Sequence, residues 1–95
     1  MNNDNLHVIK FTDYMKYRAI KRDFNLEKIE SILKYSTERY FDTFSQRMVV
    51  VGKHDDLLVI IPFEQKNKTI TPITIHVITR QQIKFRIKTG RFRIE

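Results

Sequence analysis

Two hydrophobic periods divide the chain. Between Asn25 and Ser36, Leu26, Ile29, Ile32 and Leu33 recur at three- and four-residue spacing, the stripe a helix lays against a sheet. Asn25 is a suitable N-cap, Glu27 falls in the first turn, and Phe24 and Ile29 occupy the positions of a hydrophobic staple. A second helix is predicted after Thr12. Its hydroxyl can cap free backbone amides, and Asp13 suits the positive end of the helix dipole. Met15 and Ala19 are its inward positions, while Tyr14, Arg18 and Arg22 are spaced by four and share another face. Residues 1–11 are a polar lead-in with a short strand candidate at "HVIK".

Near residue 38 the period becomes two. "ERYFDTF" is a candidate edge strand, and "RMVVVG" is a β-branched strand ending on Gly52. "KHDD" has turn chemistry, and "LLVIIPFE" is the next strand. "QKNK" is another turn before a third strand, "TITPITIHVIT". Short connections between long strands predict an antiparallel meander. Pro62 and Pro72 remove ladder donors and belong at an edge, a bulge or a strand end. In the last strand Ile73, Ile75 and Val77 would face the core, opposite Thr74, His76, Ile78 and Arg80.

After Thr79 two readings compete. Ile83, Phe85 and Ile87 alternate with Lys84, Arg86 and Lys88 as in a strand. Thr79 and Gln82 form a capping box, Ile83 and Ile87 are four apart, and Thr89-Gly90 is a helix stop. These signals favour a helix over about 80–88. The prediction is one α+β domain over 1–95. Two N-terminal helices (12–35) pack on a curled antiparallel sheet of three to four strands (38–79), followed by a short basic C-terminal helix within the segment 80–95. No repeat, low-complexity run or linker divides the chain.

Composition narrows the chemistry. With 95 residues the chain has room for a single core. The absence of cysteine excludes disulfides, zinc–thiolate sites and cysteine nucleophiles. "MNNDNLHVIK" has no apolar stretch of signal-peptide length and no run reaches transmembrane length, so a cytoplasmic protein is expected. The net charge is +7 and the pI about 9.9, which favours a polyanionic partner. From Arg80 to Glu95 six cations face one acid, and from Thr12 to Arg22 four face one. Two separated clusters suggest a shared basic surface.

His76 stands in that company, near Arg80, with Lys53 and His54 in the turn between neighbouring strands and Arg47 opening the strand before it. RNA cleavage without a metal needs a base for the ribose 2′-OH, an acid for the leaving 5′-oxygen, and cations for the charge that builds on phosphorus. Histidine serves as base or acid near neutral pH, and the arginine fork fits phosphate. Other chemistries lack their motifs: there is no Gly-rich phosphate loop, no H-E-x-x-H and no clustered D-x-D. "HDD" at His54–Asp56 is a solvated turn in this reading, and no metal or cofactor is expected. Tyr35, Tyr40, Phe41, Phe44 and Phe63 are assigned to the core or its edges; Tyr40 or Phe44 could stack on a base if exposed. The basic C-terminal helix is too short and too poor in apolar bulk for a membrane anchor.

Three stretches, "YMKYRAIKRDFNLEKIESILKY", "RMVVVGKHDDLLVIIPFE" and "ITPITIHVITRQQIKFRI", resemble the BrnT-type toxins and their uncharacterised relatives in the RelE/ParE superfamily. The resemblance covers about residues 12–90. Arg47 and Gly52 match that family's "R…G" strand, Thr79 and Arg80 the end of its last strand, and Arg18 and Arg22 its paired helix arginines. The chain departs from it at Tyr14, where many relatives carry histidine, and in a longer last strand that carries His76. The resemblance implies a RelE/ParE-like fold and a small metal-free ribonuclease held inactive by an acidic antitoxin. The expected catalytic set is then His76, Arg80, Arg47 and Lys53, with His54 as alternative acid or base. Arg18, Arg22, Lys84, Arg86 and Arg91 would bind the RNA backbone. RNA, an antitoxin and the ribosome are the candidate partners, and no membrane is expected. The alternative is a non-catalytic nucleic-acid- or ribosome-binding module on the same scaffold.

Overall fold

The computed structural model describes residues 7–95. The elements run β1 (Val8–Ile9), α1 (Asp13–Lys21), α2 (Leu26–Tyr35), β2 (Glu38–Asp42), β3 (Arg47–His54), β4 (Leu57–Lys66), β5 (Thr69–Pro72), β6 (His76–Val77), α3 (Arg80–Lys88) and β7 (Phe92–Ile94).

Local chemistry sets the helix ends. Thr12 Oγ1 accepts from the Met15 amide at 3.1 Å, and Asn25 Oδ1 from the Lys28 amide at 3.0 Å. Between the two helices Asp23 takes a positive φ of 60°. The amides of Asp23 and Phe24 turn back to the carbonyls of Ile20 and Ala19, the Schellman closure of α1. Phe24 therefore ends one helix and staples the next, and it is buried with Ala19 and Ile29 in one core cluster. Thr79 and Gln82 form the capping box of α3, and Gly90 follows its end at φ 84°.

The sheet overturns the expected architecture. The fold is α+β, but the two N-terminal helices do not rest on a three-to-four-stranded antiparallel sheet of RelE/ParE-like form. Among the described residues the sheet has seven strands in the order β1-β5-β4-β3-β2-β7, with β6 beside β4. It is mixed, because β1 pairs in parallel with β5. β2, expected at an edge, is covered by β7. β1 falls in the strand candidate "HVIK" and β6 in the predicted third strand, whereas β7, only three residues long and inside the cationic tail, is too short for a period-two signal.

The predicted third strand is also broken. Pro72 ends β5, and the Ile73 amide donates to the Pro62 carbonyl at 2.8 Å. A residue's N and C=O point to the same neighbour, so Pro62 presents its missing N–H to this same stretch. The ladder resumes only where Ile60 pairs His76. Two prolines thus open the sheet at Ile73–Ile75. Ile75 is buried, but Val77, expected inward, is exposed, and Ile78 is buried instead.

Both faces of the central strands are covered. Val50, Val59, Ile61 and Phe63 pack with Met15, Ala19, Ile29, Ile32 and Leu33 under α1 and α2. Val49, Val51 and Ile60 pack with Ile78, Ile83 and Phe92 on the face that α3 covers. On the first face α2 approaches so closely that a Cβ on Gly52 would lie 2.7 Å from Ile32 Cγ2. Among the described residues no helix is long and apolar enough to cross a membrane.

Candidate nucleic-acid interface

The opened stretch of sheet borders a groove of about 260 Å³, which Arg86 of α3 and Phe92 of β7 also line. Its polar lining is Asp42, Ser45, Arg47, Thr74, His76, Arg86 and Arg91, and Val49, Ile60, Pro62 and Phe92 form much of the remainder. The pairing explains the placement. His76 is directly opposite Ile60, and residues opposite each other in an antiparallel pair share a face. His76 therefore stands on the α3 side of the sheet. Arg47 is two residues from Val49 and reaches the same side.

Arg18 reaches the opened stretch from α1. Its Nε donates to the Ile75 carbonyl at 3.2 Å, and its Nη2 lies 3.1 Å from His76 Nδ1. A guanidinium only donates, so Nδ1 must accept and the neutral ring carries its proton on Nε2. Burial lowers the His76 pKa from 6.5, and the charges of Arg18, Arg22 and Arg86 lower it further. At neutral pH the ring is uncharged and offers an Nε2–H, which has no partner among the described residues.

The surrounding cations differ in availability. Arg91 places Nε and Nη2 each 3.0 Å from the two carboxylate oxygens of Asp42. Its guanidinium also lies over the Phe44 ring, 4.6 Å from the centroid. Asp42 is only 5% exposed. Burial favours a raised pKa there, but the hydrogen bonds from Arg91 and the Phe44 amide hold it below its ordinary value. Arg91, expected to steer RNA, instead fastens β7 to β2. Arg47 pairs with the exposed Glu64. Arg86 has no carboxylate partner in hydrogen-bond contact among the described residues and rests over Phe92, 5.5 Å from the ring centroid. Arg18, Arg22 and Arg86 are the cations around His76 that no carboxylate holds.

The other expected site residues lie elsewhere. Arg80, at the far end of α3, donates to Glu38 at 2.6 Å. Lys53 is exposed, six positions from Arg47 along β3, roughly 20 Å at the ordinary strand rise. Neither lines the groove that holds His76 and Arg47. His54 is 4% exposed: its Nε2 accepts from the Asn25 amide at 2.8 Å, and its ring meets Phe24 edge-on at 5.0 Å. It anchors the start of α2, so it is neither a solvated turn residue nor a site acid. At about 100° per residue, Arg80, Lys84 and Lys88 fall on one flank of α3, and Gln82 and Arg86 on the other. Lys84 therefore lies away from the groove. Arg22 is exposed and contributes to the field at His76.

Three further residues take part: Thr74 and Phe44, which the sequence placed on the His76 face and as a conditional stacking residue, and Phe85, which it did not single out. Thr74 lines the groove, and its buried Oγ1 has no hydrogen-bond partner among the described residues. Phe44 and Phe85 are 75% and 65% exposed and line a second cleft beside Arg86 and Arg91. An aromatic residue opposite the Ile83–Ile87 stripe of a basic helix was the available signal for Phe85. Among the described residues no three His, Asp or Glu side chains gather as a metal site. Comparison of the chain with protein-family models, curated proteins and solved structures finds no match.

Proposed function

We propose that this chain binds single-stranded RNA, with a backbone phosphate seated in the groove at His76 and Arg86. The observation that carries this reading is the hydrogen bond from Arg18 to His76 Nδ1. It leaves the neutral ring with a donor at Nε2, beside three guanidiniums whose charges no carboxylate offsets by direct contact. A phosphate supplies the acceptors and negative charge that this arrangement lacks. Arg18 and Arg22 extend the basic track along α1. The resemblance to BrnT-type toxins points to RNA as the polyanion, and an acidic antitoxin covering the same cations would block the track. Ribosomal RNA offers the same chemistry, and the reading includes a cytoplasmic place of action.

A second reading, metal-independent cleavage, draws on the lowered His76 pKa. His76 is the groove residue suited to proton transfer near neutral pH. If Arg18 turned to a phosphate oxygen, Nδ1 would be free to take the 2′-OH proton. The 2′-oxygen would then attack phosphorus, the bond to the 5′-oxygen would break, and the leaving oxygen would take a proton from water, with the protonated His76 ring returning its proton to solvent. The products would be a 2′,3′-cyclic phosphate and a 5′-hydroxyl.

The test is binding and cleavage of labelled mixed-sequence RNA in EDTA over a salt series, for wild type, His76→Ala and Arg86→Ala. Binding that weakens with salt, with a shallower slope in Arg86→Ala, supports the phosphate site. Absence of binding at low salt refutes it. Cyclic-phosphate ends formed by wild type and lost in His76→Ala select the cleavage reading.

A further inference from the structure

The groove does not use the exposed aromatic residues beside it. A cleft of about 520 Å³ lies along the outer flank of α3, lined by Phe44, Phe85, Gln81, Gln82, Arg86 and Thr89 together with Arg91. Arg86 and Arg91 line both this cleft and the His76 groove, so the two sites share a wall.

We infer that the cleft is a subsite for one unpaired nucleobase, stacked on Phe44 and Phe85, next to the phosphate held at His76 and Arg86. This deepens the RNA-binding reading and rests on it. Three features select a base as the occupant. The aromatic residues are exposed but not isolated: Phe44 is held against the Arg91 guanidinium, which Asp42 fixes from behind. That gives a positioned ring face. The cleft is mainly apolar, with two glutamine amides at its rim. Gln82 Oε1 is occupied by the Thr79 amide, while the Gln81 amide has no side-chain partner among the described residues and can meet a base edge. The wall shared with the phosphate groove is formed by Arg86 and Arg91; the groove's one acidic lining residue, Asp42, is paired with Arg91, so Arg86 is the cation at the junction that no carboxylate holds. Stacking suits any base, since each has a π-face, and the glutamine rim adds the means for preference.

The test compares two short single-stranded RNAs, one fully based and one of equal charge with a single abasic nucleotide moved along the strand. Affinities are read by fluorescence anisotropy for wild type, Phe44→Ala, Phe85→Ala, Phe85→Leu and Arg86→Ala. Thermal melting confirms that each variant is folded. At one position the abasic RNA should bind wild type about 5- to 100-fold more weakly. Phe85→Ala and Phe85→Leu should both abolish that difference, because leucine restores apolar bulk without a ring face; Phe44→Ala should reduce it. Arg86→Ala should weaken both RNAs together. If wild type binds both RNAs equally while Arg86→Ala still weakens binding, the base subsite is refuted and the phosphate site stands. If wild type binds neither, both readings fall. If Phe85→Leu keeps the full difference, the cleft is a generic apolar surface and base stacking is refuted.

Discussion

Arg18 and His76 are 58 positions apart in the chain, yet a guanidinium nitrogen of one lies 3.1 Å from the imidazole of the other. The contact joins the first helix to the two-residue strand β6. It also fixes which imidazole nitrogen carries the proton, so the chemistry of the groove is set by a residue outside its lining.

A pH dependence follows. The folded chain holds His76 below 6.5, its ordinary value, so the unfolded chain takes up the proton first as the pH falls. This contribution to stability is complete above about pH 6.5 and is lost as the pH drops from there to the folded value. His76→Gln should flatten that part of the stability curve. A bound phosphate opposes the arginine field and raises the pKa, so RNA binding should take up protons and tighten as the pH falls through the same window. NMR titration of the His76 ring with and without RNA measures this directly; an unchanged pKa would place the phosphate elsewhere.

The Asp42–Arg91 pair is expected to matter for stability. Asp42→Asn should cost about 3 kcal/mol in urea unfolding at pH 7, because it weakens a nearly buried two-point contact between β2 and β7. The Asp42 pKa is lowered, so its contribution is complete above about pH 4 and is lost as the pH falls through the folded value. Increased amide exchange in β7 of the variant would confirm where the loss acts. A change within ~0.5 kcal/mol would show that the pair is dispensable.

Gly52 is required by proximity, not by backbone freedom. Gly52→Ala places a methyl against Ile32 and should cost about 1–3 kcal/mol. Combining it with Ile32→Ala removes the clashing atoms, so the double variant should be more stable than the sum of the single losses predicts. Strict additivity would argue against the contact.

Thr74 carries a buried hydroxyl with no partner among the described residues. Thr74→Val keeps the shape and removes the unsatisfied group, so the melting temperature should rise, with a gain of about 1 kcal/mol. A loss of stability would reveal a hydrogen bond to water at this position.

How much the sequence reveals depends on whether a signal is local. The caps at Thr12, Asn25 and Thr79, the stripe of α2 and the stop at Gly90 each depend on neighbours within a few positions, and each appears in the structure. The break beside His76 depends on Pro72, opposite Phe63, ending β5 just where the neighbouring Pro62 lacks an N–H for the next residues, which neither proline announces alone. His54 and His76 look equivalent in the sequence; only the packing of α2 buries one of them. Arg91 looks like a free cation until the fold brings Asp42 to it from 49 positions away. Phe44 was legible only conditionally, since its exposure decides whether it can stack.

Phe92 has a consequence for the order in which the molecule can be assembled. The core beneath α1 and α2 needs nothing beyond Ile75, whereas the core beneath α3 includes Phe92, and so does the groove wall. During synthesis the first half-core can consolidate while the second still lacks a member. A chain stalled or clipped before residue 92 would retain a hydrophobic centre but lack a member of the groove wall, so the groove is completed late in translation.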